Sequence, residues 1–449
     1  MIVSKFGGTS LADAKQFQKV YEIIKMEPKR KFIVVSAPGK RHKEDTKVTD
    51  LLIACAQAQL QHGSYDDELE AVVARYKEIA DDLQIGGEII DEIRADIAQR
   101  LMERDVDEQH FVDILKASGE DNNAKLMAAY LQSQGLEARY VSPKEAGLHL
   151  SNDCGNATVL PESYDNLGKL ANVSGIIVFP GFFGYTPEGE LVTFSRGGSD
   201  ITGSIVAAAV KAELYENFTD VDSVFSVNPN IVSNPHPIDQ LTYREMRELA
   251  YGGFSVLHAE ALRPAYKEKV PVRIKNTNNP DCKGTLIVAD RPVENVPVIG
   301  IASDTGFCSI YVSKYLMNRE VGFGRKLLQI LEEEEISYEH TPSGIDDISV
   351  ILREQQLTGT KEQRVIKRIK QELDVDDVSI KRQLALVMIV GEGMKQSIGV
   401  AARATKAFKT ANVNLDMINQ GSSEVSMMFG VNAADVSRAV SALYKEFFG

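Results

Sequence analysis

Apolar residues recur along the first two-thirds of the chain in two alternating rhythms. Ile2–Phe6 is a short strand, and Phe17, Val20, Tyr21 and Ile24 after it follow the i, i+3, i+4, i+7 spacing of a buried helical stripe. The apolar run Lys31–Ser36 suits a strand covered on both faces. Residues 48–134 read as mostly helical and charged. Strands follow at Ala138–Val141 and Gly175–Pro180, then a helix over Ser199–Lys211 and a strand at Leu214–Phe218. Val272–Lys275 and Thr285–Ala289 are closing strands. This alternation predicts an α/β layer structure with a mainly parallel sheet and helices on both sides. Asp290–Pro297, with its two prolines, is the predicted domain boundary.

Beyond that boundary the pattern repeats itself. Gly322 matches Gly399, Gly344 matches Gly421 and Ser349 matches Ser426, each pair 77 apart (399 − 322 = 77). At the same offset Phe323, Leu327, Ile330 and Leu331 are shadowed by Val400, Ala404, Ala407 and Phe408. The alternating face Ile348, Val350, Leu352 is shadowed by Val425, Met427 and Phe429. Glu339 corresponds to Asp416 in the same way. Each copy reads as strand, glycine turn, helix, two strands, helix, the element order of a ferredoxin-like α+β sandwich. Two structural copies without a ligand would explain the pattern equally well, because a fold alone carries no function.

Composition narrows the class. At 449 residues, a prior of about three domains applies. Fifty Lys+Arg against 64 Asp+Glu leave a net charge of −14, so no basic field draws in nucleic acid or anionic lipid. No apolar run reaches the ~18–20 residues of a membrane span. The opening MIVSKF already reads as strand rather than as a signal peptide. Cys55, Cys154, Cys282 and Cys308 lie far apart, which argues against disulfides or a zinc site and points to the cytoplasm.

Two glycine pairs stand where chemistry is expected. In Lys5-Phe6-Gly7-Gly8-Thr9-Ser10 a lysine ends a strand and two glycines open a helix start, where free amides favour phosphate oxygens. Ser195-Arg196-Gly197-Gly198-Ser199-Asp200 repeats that design with an arginine suited to a carboxylate or phosphate. An ordinary strand–helix turn and a capped helix are the plain alternatives. Both turns fall at strand ends, where open α/β sheets bind ligands. Ser118-Gly119-Glu120 reads alone as a solvated surface group, and Thr219-Asp220-Val221-Asp222 as a polar cluster or an Asx turn. Gly391-Glu392-Gly393 lacks the third glycine of a dinucleotide fingerprint, since Gln396 stands in its place.

In combination and order, these motifs resemble the amino-acid kinase family and, within it, the aspartokinases, over essentially the whole chain. The resemblance implies a three-layer kinase domain over residues 1–292, followed by two ACT-type regulatory modules over 298–382 and 383–449. It implies transfer of a phosphoryl group from ATP, with Mg²⁺ carried on the nucleotide, to the β-carboxylate of L-aspartate. The length suits a form without a fused dehydrogenase domain. By the same resemblance Lys5 and Asp200 are catalytic, and Gly7, Gly8, Thr9, Ser10, Thr219, Asp220, Phe225, Asn230 and Ser255 line the nucleotide site. Thr49, Glu120, Arg196, Gly197, Gly198 and Ser199 hold the substrate, and no resident metal is expected. A feedback amino acid, lysine first and threonine second, is implied at Met317, Gly322, Phe323, Ser337, Tyr338, Glu339 and Asp346. A homodimer or dimer of dimers through the ACT modules is implied as well. Two departures stand out: Asn228-Pro229-Asn230 replaces the family's Asp-Pro-Arg, and Ser255 replaces a lysine. Lys211, Lys267 and Lys275 are candidate substitutes for the missing cations. Another carboxylate-phosphorylating amino-acid kinase, or an inactive amino-acid sensor, are the alternative readings.

Overall fold

The computed structural model describes every residue except 104–105, 255, 258 and 294–295. The chain divides into two compact units, Met1–Val224 with Pro237–Met246 and Ser255–Arg291, and Phe225–His236 with Arg247–Phe254 and Pro292–Gly449.

In the first unit β1 (Ile2–Phe6) leads through a 3-10 turn into α1 (Ala14–Met26) and then β2 (Arg30–Val35). Asp13 caps α1 by accepting from the Gln16 amide at 2.9 Å. Four helices follow, α2 (Val48–His62), α3 (Asp66–Asp82), α4 (Glu88–Arg100) and α5 (Glu108–Ser133), before β3 (Ala138–Tyr140). Next come α6 (Glu162–Gly168), β4 (Ile176–Pro180), a small hairpin of β5 (Phe183–Tyr185) and β6 (Leu191–Thr193), and α7 (Gly198–Ala209). The unit closes with β7 (Leu214–Thr219), β8 (Gln240–Thr242), the start of α8 (Tyr243–Tyr251), α9 (Arg263–Lys267), β9 (Val272–Asn276) and β10 (Thr285–Val288).

Eight strands form one sheet in the order β3-β4-β2-β1-β7-β9-β10-β8. The six from β3 to β9 run parallel; β10 is antiparallel to β9, and β8, parallel to β10, shares its reversed direction. The expected strands are all present within one or two residues at either end. The helical 48–134 segment resolves into α2–α5, and one of its faces joins Phe6, Phe17, Ile33 and Phe218 in a single buried core. Unusually for so deep a helix, α5 also buries Asp113, Glu120, Asp121, Asn122 and Asn123.

The second unit holds the repeat. β11 (Gly300–Ser313), α10 (Phe323–Glu333), β12 (Asp347–Arg353) and α11 (Gly359–Leu373) precede β13 (Asp377–Val390). Then come α12 (Val400–Thr410), β14 (Met417–Asn419), β15 (Ser426–Asn432) and α13 (Val436–Phe448). The antiparallel sheet runs β12-β11-β13-β15-β14. Gly322 and Gly399 both precede their helices with left-handed backbone, φ 82° and 87°, which explains why glycine occupies both positions.

The division at 298–382 and 383–449 is linear, whereas the strands are shared. Gly300–Asp304 pairs with Leu386–Val390, and Ile301 packs in the core of the second copy with Val387 and Phe429. Phe307–Ser313 pairs with β12, and Cys308, Ile310 and Val312 fill the core of the first. The residues Phe225–His236 and Arg247–Phe254 also belong to this unit, although they precede the expected boundary.

One buried ion pair ties three neighbouring strands of the kinase sheet. Arg30 at the start of β2 donates to Glu216 on β7 through Nε at 2.6 Å and Nη2 at 3.0 Å, across β1. Ser4 of β1 donates to the same carboxylate at 3.0 Å. Removing one partner leaves the other charge buried and uncompensated. Arg30→Met should therefore cost about 3–5 kcal/mol in urea unfolding, with much of the loss recovered in Arg30→Met/Glu216→Met. A loss below about 1 kcal/mol for the single variant would show that the pair contributes little.

Candidate functional site

Because the central strands are parallel, β1, β2, β4, β7 and β9 all deliver their following turns to one edge of the sheet. The β1 and β2 turns touch backbone to backbone there. The Gly39 amide donates to the Gly8 carbonyl at 2.9 Å. A Cβ on Gly39 would stand 2.5 Å from the Gly8 carbonyl carbon, so only glycine permits the approach. The β4 turn meets α7 as closely: a Cβ on Gly181 would lie 2.5 Å from Ser199 Oγ.

Lys5, 7 % exposed, reaches Asp200 at the start of α7, with Nζ 2.5 Å from Oδ1. Asn217 of β7 donates to the same Oδ1 at 2.8 Å and fixes the carboxylate. Tyr215 donates its hydroxyl to the Asp200 carbonyl at 3.1 Å. The Gly7 amide donates to Phe218 O at 3.1 Å, joining this turn to the end of β7. The ion pair with Asp200 thus anchors Lys5 beside two glycine-rich turns of the kind that can approach an anion closely.

Glu120 lies on α5 and is buried. The Ala37 amide donates to its carboxylate, while Oε2 is buried with no hydrogen-bond partner among the described residues. Burial pushes this carboxyl up to about 7, opposed by the Ala37 amide and by the charges of Lys47 and Lys5. An unsatisfied buried acceptor of this kind is a place for a cationic ligand group. Thr49 stands half-buried in the first turn of α2, whose Val48 lies 3.7 Å from the position of a Cβ on Gly119. Arg196 is exposed just before Gly197, which turns the chain at φ 81° into α7.

Other expected residues are placed differently. Thr9 is exposed, while the Ser10 hydroxyl is 2.7 Å from Thr277 Oγ1. Thr219 donates to Asp220 at 3.2 Å, and its carbonyl accepts from the Thr277 amide at 2.9 Å. Phe225 and Asn230 fall in the second unit, and Ser255 lies outside the described residues. Of the substitute cations, Lys211 follows α7 just before β7 begins, and Lys267 ends α9 just before β9. Both therefore stand at the opposite edge of the sheet. Lys275 is near the correct end of β9, but its amine donates to Pro280 O at 2.6 Å. Among the described residues, no group of three or more His, Cys, Asp or Glu is gathered for a metal. Asn217 was missed by sequence reasoning. The adjacent polar pair Glu216-Asn217 inside a buried strand was the available signal.

The expected effector residues form two groups. Met317 and Phe323 are buried in the first-copy core, and Asp346 accepts from the Leu316 amide at 2.9 Å. Glu339 instead accepts from the Tyr251 hydroxyl at 2.6 Å, and the Ser337 hydroxyl donates to Gln356 at 2.9 Å. Tyr338 is exposed. Glu339 is level with Ile351 of β12, whereas Asp346 precedes Asp347 at its start, about 13 Å of strand away. Glu339 lines a cleft of about 410 Å³ with Arg247, Tyr251, His340 and Asn419.

The raised Glu120 carboxyl has a consequence for stability. The folded protein holds that proton up to about pH 7, whereas the unfolded chain releases it near the ordinary value of 4.5. The group therefore lowers stability as pH rises from 4.5 to about 7. Without ligand, Glu120→Gln should be the more stable protein at pH 8, by at most about 3 kcal/mol, with the gap closing toward pH 5. A gap that does not change with pH would contradict the buried, unpartnered carboxyl.

Comparison with known proteins places this geometry. The amino acid kinase family pattern matches residues 1–276, and an ACT domain pattern matches residues 387–447. The chain is 59% identical to aspartokinase 3 of Bacillus subtilis over 448 residues, covering 100% of this chain and 99% of that protein. It is 29% identical to the chloroplastic aspartokinase 1 of Arabidopsis thaliana, covering 99% of this chain and 80% of that one. The crystal structure of Clostridium acetobutylicum aspartate kinase superposes with a TM-score of 0.89 at 38% identity, covering 100% of both chains. Escherichia coli aspartokinase III, in complex with aspartate and ADP, shares the fold at a TM-score of 0.79 and 24% identity, again over 100% of both chains. With a full-length relative this similar and both domain patterns in place, the chain belongs to the aspartokinases of the amino acid kinase family.

Proposed function

We propose that the protein is an aspartate kinase, transferring the γ-phosphoryl group of ATP to the β-carboxylate of L-aspartate. The observation that carries this reading is the Lys5–Asp200 pair, held at 2.5 Å beside two glycine turns, in the same unit as the Glu120 carboxylate, whose buried Oε2 has no hydrogen-bond partner among the described residues. In the reaction one oxygen of the β-carboxylate forms a bond to the γ-phosphorus. The bond from that phosphorus to the β–γ bridging oxygen breaks, leaving ADP and 4-phospho-L-aspartate. The nucleophile is already ionised at neutral pH, so the step needs no general base. Catalysis is then positioning and stabilisation of the transferring charge, the work we give to Lys5 with the Gly7 and Gly8 turn. Asp200 and Asn217 orient the lysine. Mg²⁺ enters as part of the substrate MgATP, held largely by phosphate oxygens and water. Thr9, Ser10, Thr219, Asp220, Phe225, Asn230 and Ser255 are the proposed nucleotide-side residues.

Aspartate's other two charges find complementary groups. Glu120 takes the ammonium, which offsets the cost of ionising it, and Arg196 takes the α-carboxylate beside Gly197, Gly198 and Ser199. Thr49 completes that side. No helix among the described residues is long and apolar enough to cross a membrane. With an activity that uses only small polar substrates, we place the protein in the cytoplasm.

We assign control to the two ACT-type copies. Tyr315, Val321 and Ile345 of the first copy are exposed, an apolar surface beside the Gly322 turn that suits a second copy of the chain. About 13 Å of strand separates Glu339 from Asp346, too far for both carboxylates to hold the ammonium of one lysine in one chain. A homodimer brings one copy's turn to its partner's strand, and a feedback amino acid, lysine first and threonine second, would sit there.

Hydroxylamine trapping of acyl phosphate tests the reaction: hydroxamate should form with ATP and aspartate, and its absence would sink the assignment. Lys5→Ala should lower kcat about 100-fold or more, with a small change in KM. Arg196→Ala should raise the aspartate KM about 10- to 100-fold and leave that for ATP nearly unchanged. In the same assay lysine, alone or with threonine, should inhibit the wild type, and Glu339→Ala should need more of it. If neither amino acid inhibits, the regulatory reading falls. If the variant responds as the wild type does, Glu339 is not in the effector site.

A further inference from the structure

The proposed aspartate site has two walls, and they pack against each other. One is the loop from Ser36 to Lys47, which leads into Thr49; the other is the Gly119–Glu120 step of α5. A Cβ on Gly119 would lie 2.9 Å from the Ala37 Cβ, so the helix presses directly on the loop. Asn123, one turn further along α5, donates to Ser36 O at 2.6 Å. Any slip of one wall against the other changes where Thr49 and Glu120 stand.

Two consecutive residues of α3 hold these walls from behind. Tyr76 is fully buried and donates its hydroxyl to the Gly119 carbonyl at 2.8 Å. Arg75, 4 % exposed, directs Nη2 to Gly39 O at 3.0 Å, to Ala12 O at 2.9 Å and to Asp45 Oδ2 at 3.2 Å. The loop is held further along by Arg41, which donates to Asp45 Oδ1 at 2.8 Å and to Glu78 of α3 at 2.6 Å. From this arrangement we infer that Arg75 and Tyr76 are positioning residues for the aspartate pocket, setting the spacing between the Ser36–Lys47 loop and Glu120 without touching substrate.

The way Arg75 is buried supports a role in geometry rather than in stability. Taking a guanidinium out of water is expensive, and an apolar side chain of similar volume usually serves stability as well or better. Arg75 is also short of hydrogen bonds: Nε and Nη1 are buried with no hydrogen-bond partner among the described residues, and Nη1 has only the Glu78 carboxylate, 4.0 Å away. Three acceptors crowd onto its one remaining nitrogen, and two of them are main-chain carbonyls of separate turns, Ala12 and Gly39. That pattern joins loops together at a net cost. Tyr76 does the same for α5, since its hydroxyl adds a second donor to a helical carbonyl.

This inference rests on the reading of Glu120 and Thr49 as aspartate contacts, so its test carries Glu120→Gln alongside. In the full-length protein, Tyr76→Phe removes one hydroxyl and keeps the volume. It should raise the aspartate KM about five-fold, with the ATP KM within two-fold of wild type. Arg75→Met should raise the aspartate KM about ten-fold or more, and Arg75→Lys should recover part of that rise. Thermal unfolding is measured for each variant. An unchanged aspartate KM in Tyr76→Phe overturns the inference. So does a parallel loss for both substrates that tracks a lower Tm, because that is the signature of simple destabilisation. If Glu120→Gln itself leaves the aspartate KM unchanged, the pocket assignment fails. If Glu120→Gln raises it while the Arg75 and Tyr76 variants do not, only the positioning role fails.

Discussion

The kinase site depends on two turns that touch through their main chains. Gly8 and Gly39 approach so closely that a single methyl group on either would meet the other's backbone or its immediate neighbours. That contact has to be made by backbone, because it brings the turn after β1 directly against the loop after β2. Lys5 reaches into the same edge from β1, and the Ala37 amide reaches Glu120 from the β2 side. The parallel sheet makes this convergence available by ordering its strand ends along one edge. The two glycines set how tightly it closes.

Charge burial is used in three ways in this unit. Arg30 and Glu216 are mutually satisfied and serve to join strands. Lys5 and Asp200 are paired at the end of a strand, so the same kind of interaction holds a lysine in place beside the glycine turns. Glu120 is left with an acceptor unfilled, which is costly in the empty protein and is offset when a cationic group arrives. Arg75 lies between these cases, paired at one nitrogen and unsatisfied at two. The same helix segment, α2 to α5, that reads from its composition as a charged surface region therefore supplies much of the buried polar framework of the site.

The regulatory unit shows how a repeat can be regular in sequence and interlocked in space. Both copies start their first helix from a left-handed glycine at equivalent positions, as the 77-residue offset requires. Yet one 14-residue strand, β11, serves both copies, giving its first residues to the second and its last to the first. The copies consequently share a continuous sheet. Main-chain hydrogen bonds along β11 and β13 join the two copies.

The sequence by itself determined the features that depend on local chemistry. Strand runs, the helical stripe of α1, the two glycine turns and the repeat all arise from residues close together in the chain, so their periodicity is legible without partners. Lys5 and Asp200 were legible as members of the glycine-turn motifs for the same reason, whereas Glu120 read alone as a solvated surface group, gained a site role only from the family resemblance, and is buried on α5. Only the tertiary structure decided which of them meet. Lys5 and Asp200 are 195 residues apart (200 − 5 = 195), and Asn217 joins them from a third element, β7. The same is true of Arg75 and Tyr76, which look like ordinary helix residues until the carbonyls they reach are known. Lys211 and Lys267 were excluded as site cations only by the edge of the sheet they occupy, and Glu339 was separated from Asp346 only by strand register. Such facts follow from packing between distant segments, where no local pattern constrains which side chain faces which.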